Sequence, residues 1–358
     1  MAITTGGVIA RRSIEVLKQG QSASGAFVAS PAFPVYRYAW LRDGAFCAYA
    51  LDRCDEPDSA AAFHAWVARS IEAHRPMIER AIARIDAGDT PLPEQMPPAR
   101  YTLEGSLETT EDEPWPNFQV DGYGMWLWSL VEHLGGPVAG ELRDTAELVA
   151  RYVRATWPLK SFNCWEEFDG GEHASTLAAA IAGLDAAAVL LDASEWSDAA
   201  RVVRERLLTR FVRDGQMTRG PGDARVDGSL LWLGVPFRVL PLGDPVLEST
   251  IAAVRRDLHR PGGGVYRYRG DTYYGGGEWI LLACSLAWHE LSCGNADAAQ
   301  PIREWVRAQA HGNGDLPEQV SDHAQTPGMI APWVARWGPV ATPLLWSHAM
   351  YLIMESVA

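Results

Sequence analysis

Asn163-Cys164-Trp165-Glu166-Glu167-Phe168 lies between two stretches, 141–156 and 172–191, in which apolar residues recur at helical spacing. Two adjacent carboxylates stand between Trp165 and Phe168 in this segment, and we expect the partial exclusion of water to raise a carboxyl pKa. An acid that keeps its proton near neutral pH can act as a general acid. The alternative is a solvated helix start, where acidic side chains are favoured. A helix, a loop with acidic side chains and a second helix form the unit from which we predict the fold.

The partner of such an acid must stay ionised, and the best candidate is Glu318 in Asp315-Leu316-Pro317-Glu318-Gln319-Val320. The proline and the turn residues before it predict a solvated loop position, which suits a general base. The segment Leu92-Pro93-Glu94-Gln95 has the same local sequence. We choose Glu318 because its segment follows a glycine-rich turn between two predicted helices, whereas Glu94 lies in a loop with many other acids.

On both sides of this unit, the apolar pattern of the sequence predicts about a dozen helices and no convincing run of strands. Helix pairs follow one another without a solenoid repeat, so a closed barrel of paired helices in one domain, 1–358, fits better than an open superhelix. We expect its long loops to meet at one end and to bring together six side chains. These are Arg42, Asp43, Asp121, Glu166, Arg267 and Glu318. The predicted helices are 8–18, 44–54, 58–86, 121–134, 141–156, 172–191, 195–212, 244–258, 278–292, 295–309 and 342–356, with a short turn at 228–234; the predicted loops are 20–42, 87–120, 158–171, 213–227, 260–277 and 310–341.

The amino-acid composition argues against some classes of function and favours others. The 358 residues are 47% hydrophobic and 21% charged, which is ordinary for a globular protein. The net charge of −14 argues against a nucleic-acid partner and against an anionic membrane surface. The 15 tryptophans suit a carbohydrate site, because the C–H faces of sugars pack on flat indoles, although most tryptophans are core residues.

The cysteines and histidines show no pattern of a metal or redox site. Five cysteines occur without a CxxC pair or a zinc-ligand spacing, and no HxxxH or HExxH pattern is present. No GxSxG, P-loop or GxGxxG motif occurs. The N-terminal residues show no signal peptide, and we see no apolar run of membrane-spanning length. We therefore expect a cytoplasmic protein with no membrane association, no metal, no cofactor and no obligate protein partner.

Three further motifs are candidates for substrate contact. Trp40-Leu41-Arg42-Asp43 is either a structural ion pair or a clamp on sugar hydroxyls, since a carboxylate accepts two hydrogen bonds. The run from Asn117 to Gly124 can be read as a helix start with Asp121 as its N-cap. The polar and aromatic residues from Tyr266 to Trp279 suit carbohydrate.

The types and the order of these motifs resemble those of glycoside hydrolase family 15, the glucoamylase-like enzymes. The resemblance covers nearly the whole chain, and the ordered set is far more specific than any one member. The matching segments are Trp40 to Asp43, Asn117 to Gly124, Trp165 to Glu167, Gly228 to Leu231, Arg267 to Trp279, Leu316 to Gln319 and Trp346 to His348.

The resemblance implies an all-α (α/α)6 barrel with a pocket at one end, and exo-attack on α-glucosides with inversion. By matching position, Glu166 corresponds to the general acid and Glu318 to the general base. Inversion requires room for a water, so the two carboxyl groups are expected about 6.5–9.5 Å apart. Substrate-binding positions implied in the same way are Tyr36, Trp40, Arg42, Asp43, Asp121, Trp165, Glu167, Arg267, Tyr273 and Trp279.

The chain departs from many family members because it shows no N-terminal β-sandwich and no starch-binding module. Within the family, a single-domain arrangement is most similar to isomaltose glucohydrolase, which favours small oligosaccharides over starch. The sequence leaves open α-1,6 or α-1,4 linkage, which depends on the loops 87–116 and 213–227. The alternatives are a trehalase of the same family, a non-catalytic sugar-binding barrel, and a different polysaccharide-active or isoprenoid enzyme. The absence of Asp-rich metal motifs and of metal-ligand histidine clusters from the sequence argues against isoprenoid chemistry.

Overall fold

The computed structural model describes residues 7–108, 118–167 and 170–357. The described residues contain thirteen α-helices and six strands of two residues each. One 3₁₀ helix, Gly228–Leu233, also forms part of the barrel. The helices are α1 Val8–Gln19, α2 Leu41–Asp52, α3 Pro57–Ala73, α4 Arg75–Asp86, α5 Asp121–Leu134, α6 Glu141–Thr156, α7 Ala174–Leu191, α8 Glu195–Phe211, α9 Pro245–Asp257, α10 Ile280–Ser292, α11 Ala296–Ala308, α12 Ile330–Trp337 and α13 Leu345–Val357. The strands are β1 Ala39–Trp40, β2 Arg100–Tyr101, β3 Val212–Arg213, β4 Gln216–Met217, β5 Glu278–Trp279 and β6 Gln319–Val320.

The helices differ in how much of their surface is apolar, and this difference sets their place in the fold. In α2, α7 and α10 nearly every residue is buried, as expected where a helix is apolar all round. In α6, α9 and α11 only one face is buried. The first kind therefore forms an inner layer and the second kind an outer layer.

The inner layer closes on itself. Each of α2, α5, α7, the 3₁₀ helix, α10 and α13 packs on the next, and α13 packs back on α2. Each inner element also packs on at least one outer helix, and the outer helices paired with them in the same order are α3, α6, α8, α9, α11 and α1. The predicted closed barrel is confirmed as an (α/α)6 barrel in which a 3₁₀ helix takes one inner position.

Two glycines allow α5 and α7 to pack very closely. A Cβ on Gly124 would lie 2.2 Å from the backbone oxygen of Ala179, and a Cβ on Gly183 would lie 2.5 Å from the Cα of Gly124. Neither contact can be relieved by a side-chain rotation, because both neighbours are backbone atoms. The glycine at 124 is therefore required by the helix crossing and not by a turn.

The expectation that no apolar run reaches membrane-spanning length was wrong for α7. Its 18 residues have a mean hydropathy of 1.8, long and apolar enough to cross a membrane by length and composition alone. However, 83% of this stretch is buried inside the barrel. The composition of α7 is that of a core helix surrounded by other helices.

Several predicted boundaries need correction. The helix expected at 58–86 is two helices, because Pro76 lacks an N–H and starts a new helix in the first turn of α4. The helix predicted to begin at residue 44 begins at Leu41, so Asp43 lies in its first turn. Asp121 is not an N-cap; it lies in the first turn of α5, after Val120. The expected loop 310–341 contains α12.

The predicted loop 20–42 contains a 3₁₀ turn at Pro34–Tyr36 and the strand Ala39–Trp40. The predictions that fall on Phe168, on Asn117 and on residues 109–116 of the long loop lie outside the described residues.

Short strands direct the chain into two inner helices. β1 pairs with β2 and leads without a gap into α2, while β5 pairs with β6 and leads into α10. Trp40 and Trp279 are therefore the last residues before these helices. This geometry holds both indoles, and the first turn of α2, at the end of the barrel where the inner helices begin.

Candidate active site

A pocket opens at that end of the barrel. It encloses about 940 Å³ of space free of protein atoms, with open solvent at its mouth included. The predicted site residues line it, with the exception of Asp121. The lining is Ala29, Tyr36, Trp40, Arg42, Asp43, Cys164, Trp165, Glu166, Glu167, Arg267, Tyr273, Trp279, Glu318, Trp333, Arg336, Trp337, Leu344 and Trp346.

Glu166 projects from a tight turn. Its N–H donates to the Asn163 carbonyl (3.0 Å), and the next N–H, of Glu167, donates to the Asn163 side chain (3.1 Å). The φ of Glu166 is +62°, in the left-handed region that non-glycine residues adopt at a cost. Such strain persists where the surrounding structure enforces it, and often at functional positions.

The Glu166 carboxylate is held by two donors. The indole Nε1 of Trp40 donates to Oε1 at 2.6 Å, and Nη2 of Arg42 lies 3.4 Å from the same oxygen. Only 11% of the side chain is exposed. Glu166 is therefore a largely enclosed carboxylate in a loop and not part of a solvated helix start.

Glu318 is buried, so the prediction of a solvated loop position was wrong. Its N–H donates to the Ala341 carbonyl and its own carbonyl accepts from Ile280, which draws the residue into the barrel beside β6. Only 3% of it is exposed. Burial raises the pKa of Glu318 to about 8, and the hydrogen bond from Tyr36 opposes that rise.

Two tyrosines extend from the Glu318 carboxylate. Tyr36 Oη donates to Oε1 of Glu318 at 3.0 Å, and the hydroxyls of Tyr36 and Tyr273 are 2.7 Å apart. Because each hydroxyl has one proton, Tyr273 donates to Tyr36 when Tyr36 donates to Glu318. Burial raises the pKa of both phenols, so both stay neutral.

Arg42 is surrounded by carboxylates. Its Nη1 donates to Gln119 (2.8 Å) and to Asp121 (3.2 Å), and its Nε lies 3.5 Å from Oδ2 of Asp43. Burial alone lowers the pKa of Arg42, but Asp121, Asp43 and Glu166 outweigh it and raise the pKa. The guanidinium is therefore a fixed positive charge at the inner end of the pocket.

Asp121 does not line the pocket, which corrects its expected role as a substrate contact. It is 1% exposed and lies behind Arg42. Its position in the first turn of α5 lets it orient the guanidinium. Asp43, in contrast, does line the pocket, and burial raises its pKa to about 7 although the charge of Arg42 lowers it.

Arg267 also lines the pocket and is held by two carboxylates. Its Nε and Nη2 donate to the two oxygens of Asp271 at 2.8 and 2.7 Å, and Nη2 also donates to Glu167 at 2.7 Å. The guanidinium carbon lies 4.9 Å from the ring centroid of Trp279. Glu167 also accepts from the hydroxyl of Tyr268, so this carboxylate has a fixed place at the pocket edge.

Trp165 is held by a residue that the sequence did not single out. Its Nε1 donates to both oxygens of Asp227, at 2.9 and 3.1 Å. Asp227 is also the N-cap of the 3₁₀ helix and accepts from the Ser229 N–H. The inner 3₁₀ helix therefore orients the tryptophan next to Glu166.

The outer wall of the pocket is α12, which we did not predict. Trp333 and Trp337 are half-buried and Arg336 is exposed, and all three line the pocket. Trp333 is anchored by a hydrogen bond from its Nε1 to the Thr272 carbonyl (2.9 Å). The spacing Ile330, Trp333, Val334, Trp337 is helical and is the signal by which α12 could have been found.

No group of side chains with metal-ligand geometry occurs among the described pocket residues. In the described ranges such geometry occurs at Glu248, His289 and Cys293, away from the pocket. The chemistry available among the described pocket residues is that of carboxylates, guanidinium groups, hydroxyls and indoles.

Comparison with known proteins identifies the family. The profile of glycosyl hydrolases family 15 matches residues 7–309. The chain belongs to glycosyl hydrolases family 15. The isomaltose glucohydrolase of Kribbella flavida is 42% identical over 355 residues, which cover 97% of this chain and 91% of that protein.

Solved structures of a glycosidase and of a glucoamylase share the barrel fold. A glycosidase variant in complex with glucose superposes with a TM-score of 0.91 at 40% identity, covering 98% of this chain and 96% of that one. A bacterial glucoamylase complexed with acarbose superposes with a TM-score of 0.74 at 21% identity, over 98% of this chain and 55% of the other; it shares the fold. The predicted family 15 membership, barrel fold and glycoside hydrolase class are confirmed.

Proposed function

We propose that this family 15 hydrolase is an exo-acting α-glucosidase that releases single glucose units, with inversion, from the non-reducing end of isomaltose-type oligosaccharides. The observation that carries the proposal is the pocket itself, which both Glu166 and Glu318 line and whose inner end we assign to the buried Arg42 and Asp43. A dead-end pocket admits the end of a chain and excludes its middle. The similarity to an isomaltose glucohydrolase supports the substrate class.

In this proposal, Glu166 protonates the glycosidic oxygen and Glu318 removes a proton from the water that attacks the anomeric carbon. Trp40 and Arg42 hold Glu166 at the pocket wall through Oε1. When the glycosidic bond breaks, positive charge develops on the sugar ring, and the two carboxylates stabilise it.

Glu318 must be ionised to act as a base, yet its pKa of about 8 favours the proton in the empty pocket. Its Oε2 has no hydrogen-bond partner among the described residues. A water positioned by the bound sugar donates to this oxygen. Because hydrogen bonds to the charged form lower a carboxyl pKa, substrate binding prepares the base.

Several buried polar atoms at the inner end of the pocket make no hydrogen bond within the described residues. Within the described residues, Nε1 of both Trp279 and Trp346 is buried without a hydrogen-bond partner, and Nε of Arg42 and Oδ2 of Asp43, which form an ion pair at 3.5 Å, make no hydrogen bond. Buried polar atoms normally have partners. The hydroxyls of one glucose would provide them, which is why we assign this end of the pocket to the terminal glucose.

The leaving sugar then lies at the pocket mouth, against α12. The rings of Trp333 and Trp337 are 4.9 Å apart, and the Arg336 guanidinium lies 4.7 Å from the Trp337 centroid. Half-exposed indoles beside an exposed cation suit a sugar whose faces are apolar and whose rim is hydroxylated. We therefore assign the leaving sugar to α12.

The experiment compares isomaltose with α-glucosyl fluoride, which carries no leaving sugar. Replacing Trp333 or Trp337 by Ala should lower kcat/KM for isomaltose about tenfold, equivalent to the ~1.4 kcal/mol of one lost stacking contact. The value for the fluoride should change less than about twofold. Val334→Ala, a 42% exposed position on the same helix that is not part of the pocket lining, is the control.

Equal losses on both substrates would refute the assignment of α12 to the leaving sugar. Failure of the unmodified protein to cleave either substrate would refute the α-glucosidase proposal itself. Maltose and trehalose belong in the same panel. Glucose binding without turnover of any of these sugars would favour the non-catalytic reading, against which the two pocket glutamates argue.

A further inference from the structure

A second cluster of functional side chains lies on the outside of the barrel, where α9 packs beside the end of α10. Glu248 is exposed on α9, His289 is buried on α10, and Cys293 is half-exposed directly after α10. One ligand atom from each of the three lies within 4.8 Å of the others. We propose that these three side chains bind a divalent metal ion with affinity for nitrogen and sulfur, of which Zn²⁺ is the representative.

The geometry matches tetrahedral coordination. His289 and Cys293 are four residues apart, so they project from the same face of the chain as it leaves α10. Their Nε2 and Sγ atoms are 3.6 Å apart. A zinc ion with bonds of about 2.3 Å to sulfur and 2.0–2.1 Å to nitrogen at a tetrahedral angle requires about 3.6 Å between them. These two ligands are therefore already at the required separation.

Glu248 completes the set from the neighbouring helix. Its carboxylate is at most 4.8 Å from the other two ligand atoms, so it has to approach by about 1 Å to reach a typical zinc–oxygen bond of about 2.0–2.2 Å. The side chain is exposed, so rotation alone can bring it there. Water would fill the fourth position.

The charges around the cluster favour a cation. Burial lowers the pKa of His289, so the ring is neutral and keeps the lone pair that a metal needs. Burial, Glu248 and Glu290 raise the pKa of the Cys293 thiol, so the metal must displace its proton. The positive charge of Arg255 nearby is engaged by Glu290. A thiolate and the Glu248 carboxylate together balance the charge of a divalent ion.

The binding is expected to be reversible and stronger at higher pH, because the thiol loses its proton on coordination. The Nδ1 atom of His289 has no hydrogen-bond partner in the described part of the chain, so the second hydrogen bond that orients most zinc-bound histidines is missing. A bound ion would join outer helix α9 to inner helix α10. We expect it to affect stability and not turnover.

The reactivity of Cys293 provides a direct test. Four of the five cysteines are buried and Cys293 is not, so a thiol reagent such as DTNB should modify one thiol rapidly in the native, chelator-treated protein. One equivalent of Zn²⁺ per chain should slow this reaction at least about tenfold, since a coordinated thiolate is blocked as a nucleophile. Cd²⁺ should give a thiolate charge-transfer band that is absent in Cys293→Ser.

Matched variants identify the ligands. Glu248→Gln should lose most of the Zn²⁺ protection, whereas Glu205→Gln, an exposed glutamate on α8, should keep it. Both positions are exposed, so both proteins should fold, and hydrolytic activity should be unchanged in each. A reaction rate that Zn²⁺ does not alter in the unmodified protein would overturn the proposal, as would equal protection of Glu248→Gln and Glu205→Gln.

Discussion

The buried Glu318 makes a prediction about stability that is independent of catalysis. Folding raises its pKa from 4.5 to about 8. The unfolded chain therefore releases this proton at lower pH than the folded chain does. The contribution of Glu318 to stability is fully present below about pH 4.5 and is lost as the pH rises towards 8. Replacing Glu318 with the neutral, isosteric Gln should remove this loss.

The expected gain follows from the two pKa values. Each pKa unit is worth about 1.4 kcal/mol, so the upper bound at pH 8 and above is about 5 kcal/mol. Effective dielectric constants in proteins are higher than that of a dry interior, and we expect a gain of about 2 kcal/mol near pH 8. The Gln carbonyl can keep the hydrogen bond from Tyr36, and its amide takes the place of Oε2, which has no partner among the described residues.

The assay is thermal and denaturant unfolding of both proteins between about pH 5 and pH 8. Glu318→Gln should match the unmodified protein near pH 5 and exceed it increasingly up to pH 8, while hydrolysis is almost abolished. Glu166→Gln is the control: it should also abolish hydrolysis, but it should give no stability gain that grows with pH, because it leaves the buried Glu318 in place. A stability gain that does not change with pH, or no gain at all, would refute our account of Glu318.

Three other substitutions test separate parts of the structure. Tyr36→Phe removes a hydrogen bond that lowers the pKa of Glu318, so the acidic limb of the pH profile of kcat/KM, where the base loses its charge, should move to higher pH; an unmoved limb would contradict this coupling. Arg267→Lys loses the paired hydrogen bonds to Asp271 and should reduce kcat/KM about tenfold or more. Activity near that of the unmodified protein would contradict a role for these bonds in the site. Gly124→Ala forces a Cβ against backbone and should cost about 3 kcal/mol of unfolding free energy, and an unchanged melting temperature would show that α5 and α7 can separate at no cost.

The sequence predicted the barrel because its signal is repeated along the chain. Inner and outer helices differ in their apolar pattern, and most predicted helices begin and end within a few residues of the observed ones. The exceptions have local causes. Pro76 divides one predicted helix into two, and α12 is only eight residues long within a segment rich in proline and glycine.

Most residues that line the pocket were also predictable, because the resemblance to family 15 indicates which sequence motifs lie together in the fold. What the sequence did not indicate was the environment of each side chain. Glu318 follows a Pro in a turn-like segment and yet is buried, since its backbone is hydrogen-bonded to Ala341 and Ile280 in the fold. Asp121 lies behind Arg42 for a similar reason: the first turn of α5 faces α2 and not the pocket.

The stereochemistry of the released sugar tests the central claim most directly. Proton NMR spectra of isomaltose with the protein, recorded within the first minutes, distinguish the two anomers of glucose before they interconvert. If Glu166 acts as the acid and Glu318 as the base for water, β-glucose appears first from the α-glucoside. Initial release of α-glucose would show a retaining reaction and would contradict the roles assigned to the two carboxylates.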